Sequence, residues 1–454
     1  MIAMPSETSG SAFSRRRFLS TTTLTGVGLA GSGSLLAACG GGSSGGPQSS
    51  GGGGGGGGQS GGNVTWASWA NPGEAERFKK YSTDYASRSG AKVTYQTVVE
   101  PYAQKIVTQL AGAAGPDAFY VGDNLMAKVI QSGQVIDLSE YLNSDEAAIK
   151  EADIYPGLMK WVKKDGSEGV YGLPVDCNPK VFWFNKKLLA DAGVTQDPAA
   201  MQEAGTWNQA ALDDLLTKVK ASGKRGMLWE TSWFDICGWI TTFGGKAVDD
   251  TGKVIFDTDP GALEVLDWLF QHLGDETITF TGALPKGQNG DALFYASQVA
   301  SVQFGRWILP NVKKLKNFEY DIAPLPSKAG NEISETAVYC AAMSVNSKSD
   351  DIPAATRFAG EYVSQAGQKF RLSGGGNAVP CVDGIDEVVT EGNLPAHGAY
   401  FSQVAKKGYT TPQVLVENPE VASSYQAKLQ ALVLEKPDYK TFATKAANLM
   451  NGKG

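Results

Sequence analysis

The amino-acid sequence predicts an α/β protein in which helices cover parallel β-sheets. Between residues 63 and 121, short apolar strand-like segments take turns with amphipathic segments of helical period, and this alternation begins again after Pro174. Strands that alternate with helices in this way are typical of parallel sheets. The 454 residues include 10 Trp, 16 Tyr and 18 Phe, which is enough apolar surface for more than one core.

The first α/β region follows a long Gly-rich segment. Its predicted elements are a strand at 64–67, a helix at 74–87, a strand at 93–99, a helix at 102–114 and a strand at 118–121. The first of these helices carries Phe78, Tyr81 and Tyr85 on one face at helical spacing. Trp66 lies inside the first strand and is predicted to be a core residue.

The second α/β region lies beyond Pro174. Its predicted elements are a strand at 181–184, a helix from 206 through 216, a helix at 257–273, a strand at 299–302 and a helix at 352–362. Thr206 and Gln209 have the spacing of a capping box, in which Thr206 would cap the helix and Gln209 would reach back.

Charge and composition exclude several classes of function. The chain has 40 Lys and Arg against 47 Asp and Glu, a formal net charge of −7, so no nucleic-acid partner is expected. Its two histidines, His272 and His397, are too few and too far apart for a His-based zinc site or most His-dependent triads. The sequence contains no phosphate-binding loop or dinucleotide motif, and we expect no cofactor and no metal.

The N-terminal segment carries two motifs typical of exported bacterial proteins. The run SRRRFL at 14–19 resembles the twin-arginine export signal, and residues 1–38 are predicted to be a signal peptide. The run LAACG at 36–40 resembles a lipobox, in which cleavage before Cys39 leaves a lipid-modified N-terminus. A weak membrane anchor or a disordered tail is the alternative.

A Gly/Ser-rich tether is predicted at 39–62. Residues 40–62 contain 15 glycines in 23 positions, and such a chain behaves as a coil with a reach of ~25 Å. We therefore expect a body held at the outer face of the bacterial cell membrane by a lipid on Cys39. Four cysteines remain in the body, and the sequence leaves open whether they form disulfides: Cys177, Cys237, Cys340 and Cys381.

Eight short motifs occur in a fixed order along residues 63 to about 450. They are the opening strand at 64–69, GPD at 115–117, SGQVIDL at 132–138, YGLP at 171–174 before FNK at 184–186, LLADAG at 188–193 with TW at 206–207, QVAS at 298–301 with GRW at 305–307, DIAPLP at 321–326, and NAVP at 377–380. In this order they resemble the extracellular solute-binding proteins of ABC importers, in the group typified by maltose-binding protein. Ser301 and Val302 depart from that group's usual Ala-Met pair.

The resemblance implies a two-lobed periplasmic-binding-protein fold with the ligand in a cleft between the lobes. The chain is expected to cross near Pro174–Asp176 and again near Ala337–Cys340. Lobe 1 would then hold 63–174 and 286–338, lobe 2 would hold 175–285 and 339–390, and C-terminal helices at 391–454 would pack near lobe 1. Such a protein is a non-catalytic monomer that passes its ligand to the permease subunits of an importer.

The resemblance also implies a carbohydrate ligand. Sugars need aromatic rings to stack on their C–H faces and planar polar groups to bind their hydroxyls. The alternatives are a polyamine or a glycerophosphodiester as the ligand, or a glycoside hydrolase that uses Asp176 and Glu230 as its two carboxylates. The candidate ligand-binding residues are Ser68, Trp69, Asn71, Asp123, Asn124, Asp176, Glu230, Trp233, Arg306, Trp307, Tyr400 and Phe401.

Several of these candidates also have a structural interpretation. Trp69 is interpreted as a stacking ring, with core packing as the alternative. Asp176 accepts sugar hydroxyls in one interpretation and is a solvated hinge residue in the other. Arg306 binds the ligand or pairs with a carboxylate of the cleft. Core packing is as good an interpretation of Tyr400 and Phe401 as ligand binding.

Overall fold

The computed structural model describes residues 61–70, 72–99, 101–164, 166–285 and 288–453. The predicted signal peptide, most of the tether, Cys39 and the candidate Asn71 lie outside these residues. Within them, no helix is both long enough and apolar enough to cross a bilayer.

Ten strands form the framework of the fold. They are β1 (Asn63–Ser68), β2 (Lys92–Thr97), β3 (Ala118–Val121), β4 (Leu173–Pro179), β5 (Val181–Asn185), β6 (Arg225–Trp229), β7 (Ile278–Phe280), β8 (Val299–Phe304), β9 (Tyr320–Ala323) and β10 (Val338–Val345). The helices are α1 (Pro72–Ser89), α2 (Tyr102–Ala111), α3 (Asp123–Gln131), α4 (Ser139–Asn143), α5 (Lys186–Asp191), α6 (Pro198–Glu203), α7 (Gln209–Ala221), α8 (Trp233–Thr242), α9 (Pro260–Gly274), α10 (Gly290–Tyr295), α11 (Leu309–Val312), α12 (Ile352–Val363), α13 (Gln365–Leu372), α14 (Glu387–Thr390), α15 (Ala399–Lys406), α16 (Gln413–Glu417), α17 (Pro419–Leu434) and α18 (Tyr439–Met450).

The strands form two five-stranded sheets, which define two lobes. The first sheet has the order β2-β1-β3-β10-β4, with β1 parallel to β2 and β3 and with β10 antiparallel to both of its neighbours. The second sheet has the order β7-β6-β8-β5-β9, with β6 parallel to β7 and β8 and with β5 antiparallel to both of its neighbours. The predicted α/β fold with two lobes is confirmed.

Strand pairing contradicts two of the predicted lobe boundaries. Strands β8 and β9 fall in the segment 286–338, which was expected in lobe 1, yet both belong to the second sheet. Strand β10 begins the segment expected in lobe 2 and pairs with β3 and β4 of the first sheet. The first crossing lies between β4 and β5, at Lys180, and Pro174–Asp176 lies inside β4. The predicted lobes of these two segments were therefore wrong. The sequence of an apolar strand does not indicate which sheet the strand joins.

The C-terminal helices contact both lobes, whereas the sequence predicted only the first. Helices α16 and α17 pack against α3 of the first lobe. Helix α17 also contacts α18, and α18 packs against α9 of the second lobe. The apolar faces of α17 and α18 gave no indication of which lobe covers them.

Each lobe has an aromatic core. In the first lobe Trp66 is fully buried, its indole N–H donates to Ser82 Oγ at 2.9 Å, and its ring lies 5.0 Å from that of Tyr362. Trp66 is therefore a core residue, as predicted. In the second lobe the buried rings of Trp207 and Phe182 meet edge to face at 5.2 Å.

Helix α7 begins two residues later than the capping-box pattern predicted. The cap is Asn208, whose side-chain oxygen accepts the Ala211 N–H at 3.0 Å. The hydroxyl of Thr206 instead donates to the Met201 carbonyl, at 3.3 Å. Asn is as good an N-cap as Ser and better than Thr, so the prediction chose the weaker of two neighbouring caps.

Candidate functional site

A cavity of about 360 Å³ lies at the carboxyl edge of the second sheet. Strands β6, β7 and β8 are parallel and end at this edge, which is where α/β sheets place their ligands. The loops that follow these strands supply its walls. The cavity is lined by Glu230, Thr281, Leu284, Gln288, Asn289, Gly290, Asp291, Phe304 and Trp307.

Trp307 is the largest aromatic side chain of the cavity wall. It is half-buried, and its ring lies 6.0 Å from Phe304 and 6.4 Å from Tyr339. Gly305 allows this position, because a Cβ there would lie 2.2 Å from Cζ3 of the indole. The Gly-Arg-Trp motif therefore places an indole against the end of β8, with part of its surface facing the cavity.

Glu230 is the candidate carboxylate that lines the cavity, and its side chain is 42% exposed. Its Oε2 lies 3.5 Å from Nζ of Lys180, which also forms an ion pair with the buried Asp235. The Lys180 ammonium lies 4.8 Å from the ring centre of Phe234. Burial and the charge of Glu230 raise the pKa of Asp235 to about 6, although Lys180 acts in the opposite direction.

Trp233 joins the two lobes instead of facing the cavity. Its ring is 1% exposed, and its indole N–H donates to Oδ2 of Asp123 at 2.8 Å. Trp233 begins α8 of the second lobe, and Asp123 begins α3 of the first. Burial raises the pKa of Asp123, whereas its hydrogen bonds with Trp233, the Asn124 N–H and Thr411 lower it. The structure thus brings two candidate residues together, in direct contact with each other.

The remaining first-lobe candidates lie near the ends of β1 and β3. Trp69 is half-buried and meets Tyr102 edge to face at 5.0 Å. Asn124 is exposed beside Asp123. Ser68 is fully buried, and its hydroxyl lies 2.9 Å from that of Tyr95, so its polar group already has a protein partner.

Asp176 is paired with a buried arginine. Arg371 Nη1 lies 2.9 Å from Asp176 Oδ2, and the Asp176 side chain is only 15% exposed. The guanidinium carbon of Arg371 lies 4.0 Å from the ring centre of Tyr362. Burial raises the pKa of Asp176 more than the charge and hydrogen bond of Arg371 lower it. The interpretation of Asp176 as a solvated hinge residue is therefore wrong.

Arg306 is fully buried and bonds to the backbone. Its Nη1 donates to the Ala378 carbonyl at 2.9 Å and its Nη2 to the Val388 carbonyl at 2.6 Å. Burial lowers the pKa of Arg306 to about 10. Among the described residues no carboxylate forms an ion pair with Arg306, which contradicts the interpretation of Arg306 as the partner of a cleft carboxylate. The two bonds instead hold two segments of the first lobe against the start of the helical turn at Trp307.

The two aromatic candidates of α15 lie away from the cavity lining. Phe401 is fully buried, with its ring 5.7 Å from that of Trp183, as the core-packing interpretation requires. Tyr400 stacks on His397 at 5.8 Å, and Nδ1 of His397 lies 2.9 Å from Asp321 Oδ2. Hydrogen bonds and charges from Asp321 and Glu203 raise the pKa of His397, although burial alone would lower it.

Sequence reasoning missed several residues of this region. The side chains of Thr281, Gln288, Asn289 and Asp291 supply most of the polar lining. They lie in a loop, in a 3-10 turn and at the start of the short helix α10, none of which has a periodic pattern, although planar polar groups around Gly290 are a weak signal. Lys180 and Tyr339 lie at the two crossings. Lys180 faces Glu230 of the cavity, and the ring of Tyr339 lies 6.4 Å from the rings of both Trp233 and Trp307. Within the described part of the chain, no three His, Cys, Asp or Glu side chains are grouped as metal ligands.

The fold is similar to solved structures of binding proteins. An ABC substrate-binding protein of Listeria monocytogenes, in complex with cycloalternan, has a TM-score of 0.71 at 19% identity over 86% of this chain and 98% of that chain. The GacH receptor of Streptomyces glaucescens, studied unliganded and with acarbose, has a TM-score of 0.70 at 17% identity, with the same coverage. The ABC transporter associated binding protein from B. animalis subsp. lactis Bl-04, in complex with β-1,6-galactobiose, has a TM-score of 0.65 at 18% identity over 85% of this chain and 95% of that chain.

Sequence comparisons agree with the fold. A curated binding protein of Brucella abortus (strain 2308) is 23% identical over 254 residues, which are 53% of this chain. The match spans 57% of that relative, so the chain covers little more than half the length of the curated relatives it matches. Residues 46–369 match the family described as bacterial extracellular solute-binding protein. This match covers more than half of the chain, and the protein therefore belongs to the bacterial extracellular solute-binding protein family.

Proposed function

We propose that the protein captures a carbohydrate in the cavity at Trp307 and releases it unaltered to the permease of an ABC importer. The observation that carries this proposal is the half-buried indole of Trp307 beside planar polar side chains. An indole offers an apolar plate to the C–H face of a sugar. Relatives of the same fold are described in complex with cycloalternan, acarbose and β-1,6-galactobiose, which supports a carbohydrate ligand.

The polar lining suits neutral hydroxyl groups. Carboxylates accept hydrogen bonds from hydroxyls, and the amides of Gln288 and Asn289 both donate and accept them. Thr281 adds a hydroxyl that can take either role. The hydroxyls of a sugar stacked on Trp307 would thus find both hydrogen-bond donors and acceptors, with Glu230 on one wall and Asp291 on another.

Hydrolysis is the less favoured function. The two carboxylates suggested for it, Asp176 and Glu230, each lie beside a buried cation, Arg371 and Lys180 respectively. Asp176 lies within the first sheet and does not line the cavity. A glycosidase needs both carboxylates on either side of the same glycosidic bond.

Closure of the lobes is the second part of the proposal. The Trp233–Asp123 hydrogen bond joins helices of different lobes, and we propose that it forms when the two carboxyl edges come together. Ligand and this bond would therefore stabilise the same closed state. We further propose that export, lipidation of Cys39 and the Gly-rich tether keep this monomer at the outer face of the cell membrane.

The proposal is tested with the intact protein and a panel of ligands. Mass spectrometry of ligand carried through a native purification identifies the compound, and titration followed by tryptophan fluorescence measures its affinity. We expect saturable binding of a sugar that chromatography then recovers unchanged. Binding of only polyamines or glycerophosphodiesters, or cleavage of the sugar, would contradict carbohydrate capture.

The Trp233→Phe substitution tests the interlobe contact. Phe keeps an aromatic ring but removes the N–H that Asp123 accepts, and a hydrogen bond to a charged group contributes ~1.5–3 kcal/mol. We expect a larger radius of gyration without ligand and affinity weakened by about tenfold or more.

Trp239→Phe is the matched control for this substitution. Trp239 is equally buried, and its indole N–H donates to Gln303 Oε1 at 2.5 Å within the second lobe. This variant should lose stability but keep the compact form and its affinity. If Trp233→Phe leaves both the radius of gyration and the affinity unchanged, the bond does not control closure.

A further inference from the structure

Three of the four cysteines of the body lie on adjacent segments of the first lobe, two of them on the strands that lead to the second lobe. Cys177 of β4 and Cys340 of β10 are register partners in the first sheet. On its other side, Cys177 pairs with Val379 in an isolated bridge, and Cys381 lies two residues further along that segment. Because side chains alternate along a strand, all three thiols are on the same face. The fourth, Cys237, lies in α8 of the second lobe.

The backbone hydrogen bonds define the type of pair that Cys177 and Cys340 form. The Cys177 N–H donates to the Val379 carbonyl at 2.9 Å, and the Val379 N–H donates to the Cys177 carbonyl at 2.8 Å. Both backbone groups of Cys177 therefore point away from β10. In an antiparallel ladder, a residue arranged in this way forms a non-hydrogen-bonded pair with its opposite neighbour.

The residue pair two positions along the same ladder independently indicates that Cys177 and Cys340 form a non-hydrogen-bonded pair. Val338 is the register partner of Pro179, which has no N–H to donate. The Val338 N–H donates instead to the Tyr409 carbonyl at 2.8 Å, away from β4. Pair types alternate along a ladder, so a non-hydrogen-bonded pair at 338 and 179 implies another at 340 and 177.

Non-hydrogen-bonded pairs bring the side chains of two strands closest together. Their Cα atoms lie ~4.5 Å apart, which falls within the ~4.4–6.8 Å that a disulfide spans. Both thiols donate to carbonyl oxygens in this structure, Cys340 to Asp176 at 3.3 Å and Cys177 to Pro380 at 3.6 Å. Rotation about the two Cα–Cβ bonds is therefore the motion needed to bring the sulfurs together.

We propose that Cys177 and Cys340 form a cross-strand disulfide by exchange with a disulfide carrier of the extracytoplasmic space. Disulfides persist in such compartments, where this family of proteins acts. Cys340 is half-buried and Cys177 is fully buried, so Cys340 reacts first. Its thiolate attacks the carrier's disulfide, which gives a mixed disulfide and one carrier thiol.

The second step completes the exchange. Cys177 loses its proton and attacks the sulfur of Cys340, which releases the second carrier thiol. Two protein thiols are thereby oxidised to one disulfide, the carrier is reduced to two thiols, and both protons end on the carrier. Burial raises the pKa of both protein thiols, which slows the exchange in the folded chain. The bond closes a loop that contains every strand of the second sheet.

The test counts the thiols of the full-length protein before and after incubation with oxidised glutathione. The protein is quenched with acid, unfolded and alkylated with N-ethylmaleimide, and non-reduced peptides are mapped by mass spectrometry. We expect Cys237 and Cys381 to be alkylated, a linked peptide that joins Cys177 to Cys340, and a midpoint of thermal unfolding raised by a few degrees. Alkylation of all four cysteines that follow the tether, or a link to Cys381, would overturn the proposal.

Three variants make the result specific. Cys340→Ser and Cys177→Ala should each lose the linked peptide and the increase in thermal stability that follows oxidation. Cys237→Ala removes a buried thiol of the second lobe and should keep both. Loss of the linked peptide in Cys237→Ala as well would also refute the assignment.

Discussion

Replacing Lys180 with methionine is expected to lower the free energy of unfolding by about 3–5 kcal/mol. Lys180 lies at the first crossing between the lobes, and its ammonium is the buried partner of Asp235. Both side chains are at most 4% exposed. Methionine preserves most of the volume but leaves the carboxylate in the core without its cation. Among the residues that the structure describes, Ser232 Oγ alone, 2.6 Å from Asp235 Oδ2, would still hydrogen-bond to that side chain.

Chemical denaturation of both proteins measures this loss, and a surface lysine provides the control. Lys187 pairs with Asp191 one helical turn away, with side chains 70% and 55% exposed. Because solvent screens such a pair, Lys187→Met should cost less than about 0.5 kcal/mol. Equal effects of the two substitutions would show that burial of the Lys180 ion pair contributes nothing to stability.

The loss in Lys180→Met should also depend on pH. A carboxyl pKa that folding raises adds stability below the unfolded-state pKa, and this contribution disappears as the pH rises through the folded-state value. Burial raises the pKa of Asp235 to about 6 with Lys180 present, and removal of the cation raises it further. The stability deficit of Lys180→Met relative to the unaltered protein should therefore grow above about pH 6. Chemical denaturation of both proteins at about pH 5 and about pH 8 would detect this growth.

The Trp307→Ala substitution should weaken sugar binding by about tenfold or more, or ~1.4 kcal/mol. Its indole is the largest aromatic side chain of the cavity wall, and alanine removes the ring without changing the identity of the polar lining residues. Trp307→Phe keeps a smaller ring and should retain much of the affinity. Isothermal titration calorimetry with the ligand identified by native purification measures the dissociation constants of the two variants, which are compared with that of the unaltered protein.

Phe370→Ala is the control for this loss. Phe370 is an aromatic residue of α13, is 38% exposed and does not line the cavity. Its removal should leave the affinity unchanged. If Trp307→Ala binds as tightly as the unaltered protein, the ligand does not contact this indole.

The local pattern of the sequence was enough to predict the elements but not their assembly. Helix α1 and its buried Phe78, Tyr81 and Tyr85 follow directly from helical spacing. Strands β8 and β10 are both runs of apolar residues, and only hydrogen bonding to distant strands shows that they belong to different sheets. Register and sheet membership depend on contacts far apart in the chain, which one sequence does not encode locally.

The candidate site shows the same limit. Trp307 and Glu230 line the cavity, because their motifs lie at strand ends that the fold brings to one edge. Trp233 and Asp123 also lie at strand ends, but they bond to each other across the lobes. Residue type and position suggested contact with a ligand in both cases. Only the packing of one lobe against the other shows which of these side chains are covered by another residue of the chain.

The second sheet is an uninterrupted insertion between two strands of the first. All five of its strands come from 181–323, between strands β4 and β10, which are neighbours in the other sheet. Pro179 and Val338 are register partners, so the two ends of the inserted segment lie only ~5 Å apart. Two adjacent splice points would therefore transfer all five strands of this sheet as one segment, and a chimaera that combines the halves of different receptors would need a further exchange, that of α18, which packs against α9.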